Sequence, residues 1–230
     1  MLINADFSCR ASLAPEHYQW VKSPQQGVER VMLDRVGAEK ARATSIVRYA
    51  PESIFPHHLH PGGEEILVLS GTFSADNSDY PAGWYFRNPP TSGHQPYSHE
   101  GAVIFVKLWQ MTADETHHVA IDTNDVVNWQ KQGNREVCYL YSDAREQVSL
   151  QRINAGEVLF ADKIAGGAEL LVLEGELIDN EMIDNAQTYQ SGGWIRLPVD
   201  AASEILAGAN GATVYLKTGH LSQIIGIDAH

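Results

Sequence analysis

Residues 58–64 read His-Leu-His-Pro-Gly-Gly-Glu, and a further histidine, His94, stands beyond the next glycine-bounded stretch. Imidazole nitrogens and a carboxylate oxygen together form a donor set for a borderline divalent metal: Zn, Fe(II), Mn, Co or Ni. Side chains alternate along an extended strand, so His58 and His60 face the same way. Glu64 shares their parity, although Pro61-Gly62-Gly63 is expected to form a turn that resets it. His94 is expected on a later antiparallel strand, so that the three imidazoles and the carboxylate converge. Four protein ligands leave up to two positions open in an octahedral site and none in a tetrahedral one. The residue types name the ligands and leave the geometry open. His57 has the opposite parity and falls outside the set, His99 reads as an exposed loop residue, and His117 and His118 as solvated connector residues. Pocket candidates beside the ligands are Tyr85, Trp109 and, if it faces inward, Arg48. No catalytic residue and no residue for an organic cofactor stands out, because G-x-S-x-G, P-loop and G-x-G-x-x-G motifs are all absent from the sequence.

The elements that must carry these residues read as strands. Residues 29–34, 44–49, 64–69, 102–109, 136–141, 148–153, 169–173 and 212–217 are short and rich in β-branched or aromatic residues, with turn formers around them. Within 102–109, alternation puts Phe105, Lys107 and Trp109 on one face and Val106 and Leu108 on the other. Helix is expected only within 1–30 and 110–132, the latter a connector. The strands recur as a set. Residues 46–71 align with 150–175 at an offset of 104 without a gap, with eight identities in 26 positions. Residues 80–89 align with 189–198 at an offset of 109, and 100–108 with 210–218 at 110. Three alignments in one order predict a duplicated domain. The expected organisation is an arm over 1–25, a metal-binding barrel over 26–112, a connector over 113–134 and a metal-free barrel over 135–230.

The repeat serves as an internal control. At the matching positions of the second half, His58 becomes Asp162, His60 becomes Ile164, Glu64 becomes Ala168 and His94 becomes Ser203. Isoleucine and alanine cannot ligate a metal. Arg48/Arg152, Glu65/Glu169, Arg87/Arg196 and Lys107/Lys217 persist in both halves and therefore read as structural ion pairs or strand-edge contacts.

Composition narrows the functional classes. The 230 residues carry 16 Lys and Arg against 29 Asp and Glu, a formal net charge of −13. That balance argues against binding nucleic acid or an anionic membrane surface. With 43% hydrophobic and 20% charged residues the chain reads as globular. Cys9 and Cys138 form no C-x-x-C, so neither a disulfide framework nor a cysteine zinc finger is expected. The first residues lack the pattern of a signal peptide, and no apolar run reaches the ~18 residues of a membrane span. A soluble, cytoplasmic setting is the expectation.

The order His-x-His, Glu, Gly71, Gly83, Pro89, His94 resembles the double motif of the cupin superfamily, G(x)5HxH(x)3-4E(x)6G followed by G(x)5PxG(x)2H(x)3N. The first glycine of the pattern is missing, residues 89–94 depart from PxGxxH, and Tyr97-Ser98 stand near the terminal asparagine. The resemblance implies an all-β fold of two tandem jelly-roll-type barrels (double-stranded β-helices), a bicupin. More narrowly, residues 48–94 resemble the cupin domain of ChrR-type anti-sigma factors. That resemblance puts one divalent transition metal on His58, His60, Glu64 and His94, zinc by analogy, with Fe(II), Mn and Ni left open. It further implies a sensor or regulatory module that binds a small ligand or oxidant and acts through a separate protein partner, without the helical anti-sigma domain, since no His-x-x-x-Cys-x-x-Cys is present. The alternative is an enzyme, a dioxygenase or a Lewis-acid lyase or isomerase acting on an oxygen-chelating substrate. A third reading makes the metal purely structural. A homodimer stays open.

Overall fold

A computed structural model describes residues 1–38, 40–180 and 186–227. The chain divides into two compact units. The first comprises Met1–Ala5, Gln19–Asn124 and the segment from Ile224, and the second Asp6–Tyr18 and Asp125–Gln223. The described structure is almost wholly antiparallel β. No helix among the described residues is long and apolar enough to cross a membrane.

In the first unit the strands run in the order Leu2–Ile3, Val28–Gly37, Ala41–Tyr49, Ala102–Leu108, Glu64–Ala75, Trp84–Asn88 and Val119–Asp122. One face buries Ile66, Val68, Phe73, Phe86, Ile104 and Val106 in a common core. In the second unit the order is Trp129–Gln132, Arg135–Ser142, Gln147–Ile153, Ile205–Thr218, Ala168–Asp179, Trp194–Leu197 and Ala11–Leu13. Its core gathers Leu170, Val172, Leu177, Ile195, Leu197 and Val214.

The helix expected in 1–30 and 110–132 shrinks to two 3-10 turns, Pro15–His17 and Val126–Asn128. These stretches lack the apolar stripe that a packed helix would bury. They pair as strands instead: Ala11–Leu13 with Trp194–Leu197, and Val119–Asp122 with Trp84–Asn88. Each supplies backbone partners that the outer strand of its sheet would otherwise lack.

The two units share local geometry at several matching positions. Gly71 has φ +67°, and a Cβ there would lie 2.0 Å from the Gly101 carbonyl oxygen; Gly175 has φ +71°, with 2.2 Å to that of Gly211. Only glycine fits such an approach in a left-handed conformation. The Gly63 amide donates to the His60 carbonyl as the Gly167 amide does to that of Ile164. The paired charged residues are structural in each unit. Arg87 and Glu65 form a buried bridge at 3.0 Å, and Lys107 donates to Thr44 at 3.0 Å. Lys217 pairs with Glu146 at 3.1 Å, while Glu169 accepts from the Trp194 indole at 2.8 Å. Arg196 donates to the Asp6 carbonyl at 3.0 Å and stacks on Phe7. Both cysteines are free thiols, Cys9 exposed and Cys138 buried.

Candidate metal centre

Two short strands and a turn assemble the cluster. His58–Leu59 pairs antiparallel with Gly93–His94, in register His58 opposite His94. The chain then turns through Pro61-Gly62-Gly63, closed by the Gly63-to-His60 bond at 3.1 Å, and enters the strand that begins at Glu64. Gly63 takes φ +75°, where an added Cβ would meet the Met111 side chain. The turn thus resets the backbone so that Glu64 meets the two histidine strands. One ligand atom from each of His58, His60, Glu64 and His94 lies within 4.8 Å of all the others. The imidazole centroids are 4.5–5.1 Å apart. Glu64 Oε2 is 3.4 Å from Nε2 of both His60 and His94.

Hydrogen bonds outside the cluster set which nitrogens face inward. The Pro56 carbonyl can only accept, so His58 Nδ1 donates to it at 3.0 Å. Ser92 spends its hydroxyl proton on the Pro89 carbonyl at 2.6 Å, so its oxygen accepts from His60 Nδ1 at 3.1 Å. In both rings Nε2 is then the bare acceptor, the form a metal requires. Nε2 of His60 and of His94 is buried without a hydrogen-bond partner among the described residues. Asn88, opposite Glu64 in register, donates to Glu64 Oε2 at 3.2 Å.

The electrostatics have the same meaning. Burial, followed by the charges of His58 and His57, pulls His60 down to about 4. Burial, followed by His60, His58 and His57, pulls His94 down to about 3. Burial pushes Glu64 up to about 7, with Asn88 pulling the other way. At neutral pH the two buried imidazoles are therefore neutral, and Glu64 is poised between its acid and its carboxylate. Lone pairs converging at 3.4 Å repel unless a proton or a cation lies among them, and three nitrogens with one oxygen suit a divalent transition metal.

A cavity of about 410 Å³ in this unit is bordered by His58, His60 and Glu64. Its walls are mostly apolar, with Val28, Val47, Phe55, Ile104, Val106 and Leu108, and its polar lining includes Ser23, Arg30, Lys40 and Tyr49. Burial, and next the charge of Glu64, raises the Tyr49 phenol above its ordinary range.

Of the three pocket candidates, Trp109 lines this cavity. Its expected face was the one of Phe105 and Lys107. The strand ends at Leu108, however, and Trp109 takes φ +60°, which breaks the alternation. Its amide donates to the Gly63 carbonyl at 3.2 Å, tying it to the turn before Glu64. Tyr85 does not line the cavity. It is buried beside Leu67 on the sheet face opposite the one that Phe86 and Ile66 present to the core. Arg48 does not line it either: it is half-exposed, bridges Glu29 at 2.6 Å and covers Trp20 at 4.1 Å. Arg152 does the same with Glu136 and Trp129, so this arrangement is independent of the histidines. His57, His99, His117 and His118 are exposed and lie outside the cluster. Sequence reading missed Arg30, Tyr49, Asn88 and Ser92. Parity from Val28 could have found Arg30; the others depend on register and turns that no local signal carries.

In the second unit Ile164 and Ala168 belong to the apolar core, and Asp162 is exposed.

The sheet topology and the histidine–carboxylate cluster define a cupin fold. Residues 9–112 match the family model described as the ChrR Cupin-like domain. No curated protein matches the sequence. Among solved structures, a proposed dioxygenase from Nostoc punctiforme aligns with TM-score 0.68 at 14% identity, over 97% of this chain and 84% of that one. A proposed glyoxylate-induced protein from Pseudomonas aeruginosa aligns with TM-score 0.70 at 14% identity, over 94% and 89%. A mutant of oxalate decarboxylase OxdC from Bacillus subtilis aligns with TM-score 0.60 at 12% identity, over 91% and 77%.

Proposed function

We propose that the chain is a bicupin whose first unit holds one divalent metal on His58, His60, Glu64 and His94 and binds a small molecule beside it. The observation that carries this reading is the convergence of three imidazoles and a carboxylate within 4.8 Å at the border of a cavity. When bound, the metal supplies a Lewis acid to an oxygen ligand in that cavity. The chain's part is to present Nε2 of His58 and His60, to hold Glu64 through Asn88, and to exclude water with Val47, Ile104 and Val106. The match of residues 9–112 to the ChrR Cupin-like domain supports a sensor or regulatory role. In that role the ligand's arrival at the metal is relayed to a separate protein, and zinc is the metal of choice. A metal-dependent enzyme, dioxygenase or Lewis-acid in type, is the second reading. It is favoured by the cavity itself, which a purely structural metal would not need.

Metal analysis by mass spectrometry of untagged wild-type protein and His60→Ala tests the reading. The expected result is about one metal per chain, lost in the variant. No metal in the wild type after reconstitution overturns it. Iron would direct assays to oxygen consumption, and zinc to ligand-dependent partner binding.

A further inference from the structure

The cavity holds a charge that the metal ligands do not explain. Arg30 lies on the strand Val28–Gly37, opposite Val47, and both residues line the cavity. Its Nε is closed off from solvent and has no hydrogen-bond partner among the described residues. The adjacent acid cannot neutralise it, because Glu29 points to the other face and bridges Arg48 at 2.6 Å. Lys40 adds a second cation at the same cavity. In a chain of net charge −13, Arg30 and Lys40 outnumber the single carboxyl group, Glu64, at this cavity. The planar fork of the Arg30 guanidinium fits a carboxylate with two parallel N–H bonds.

We propose that this cavity binds a small organic carboxylate, with the carboxylate on Arg30 and the hydrocarbon body against Val47, Ile104 and Val106. Lys40 contributes at longer range. The apolar walls select an organic anion over an inorganic one, which has no hydrocarbon to bury. The inference deepens the proposed function by naming the ligand class. It rests on that reading for the cavity's being a ligand site, and not on the metal.

The test is calorimetric titration of the full chain with acetate, butyrate and hexanoate, and with hexanamide as the neutral isostere of hexanoate. Hexanoate is expected to bind more tightly than acetate. Hexanamide is expected to bind at least about tenfold more weakly than hexanoate, the scale of a lost charge-assisted hydrogen bond. Arg30→Gln is expected to weaken hexanoate by a similar factor, and Arg30→Lys by less. Equal affinity for hexanoate and hexanamide overturns the proposal, as does undiminished affinity in folded Arg30→Gln or no binding of any of the carboxylates. The hexanamide comparison uses wild-type protein, so it stands even if the Arg30 variants fail to fold. Absence of metal would sink the metal reading alone and leave this result intact.

Discussion

Glu64 is the residue on which the opposing demands of folding and metal binding meet. Buried among imidazoles, it is pushed up to about 7 from an ordinary 4.5. A raised folded value means that its contribution to stability is fully present below pH 4.5 and is lost as pH rises through about 7. His60 and His94 run the other way: lowered to about 4 and about 3, they stabilise fully above 6.5 and lose that contribution as pH falls. Glu64→Gln removes only the first trend. In chelated protein the variant should therefore gain thermal stability relative to wild type between pH 4.5 and 7, by an amount on the order of a few kcal/mol at the upper end. With saturating metal the order should reverse, because the variant lacks the anionic ligand. Melting curves at four pH values, with and without chelator, decide the matter. A wild type more stable than Glu64→Gln under chelation at pH 7 would show that the carboxylate is not held at a cost.

At the scale of elements, the centre depends on tight turns as much as on strands. Gly71 joins the Glu64 strand to its second half at a point where the Gly101 carbonyl comes too close for any side chain. Gly71→Ala should lower stability by more than about 1 kcal/mol in denaturant unfolding, since the position combines positive φ with a backbone clash. An unchanged midpoint would mean that the strand crossing can yield. The same turns explain what was legible in the sequence. His58, His60 and Glu64 lie within seven residues, and a local pattern suffices to group them; the eight apolar segments were legible because each, Trp109 apart, sits inside a strand whose core face repeats every second residue. Trp109 defeated alternation because a positive φ stands where the strand ends. Asn88 and Ser92 were invisible because their roles depend on cross-strand register and on which proton a hydroxyl has already donated. Arg48 is a pocket candidate only if it faces inward, because strand alternation fixes two faces without saying which of them holds the cavity.

Over the whole chain, comparing the two units separates what the fold needs from what the site needs. The second unit keeps Arg152 with its acidic and aromatic partners, and the buried Glu169, Arg196 and Lys217, yet fills the ligand positions with core residues such as Ile164 and Ala168. Residues that persist without the histidines hold strands together; those found only in the first unit are the ones to mutate for function. The two thiols have a practical consequence. Cys9 is exposed, while burial pushes Cys138 up to about 11 and shields it. A maleimide dye at neutral pH should thus attach to native protein at Cys9 alone, and to unfolded protein at both sites. The dye-to-protein ratio then becomes a counter for opening of the second unit, readable while metal and ligand are varied at the first. Two dyes per native chain would mean that the strand carrying Cys138 opens under native conditions.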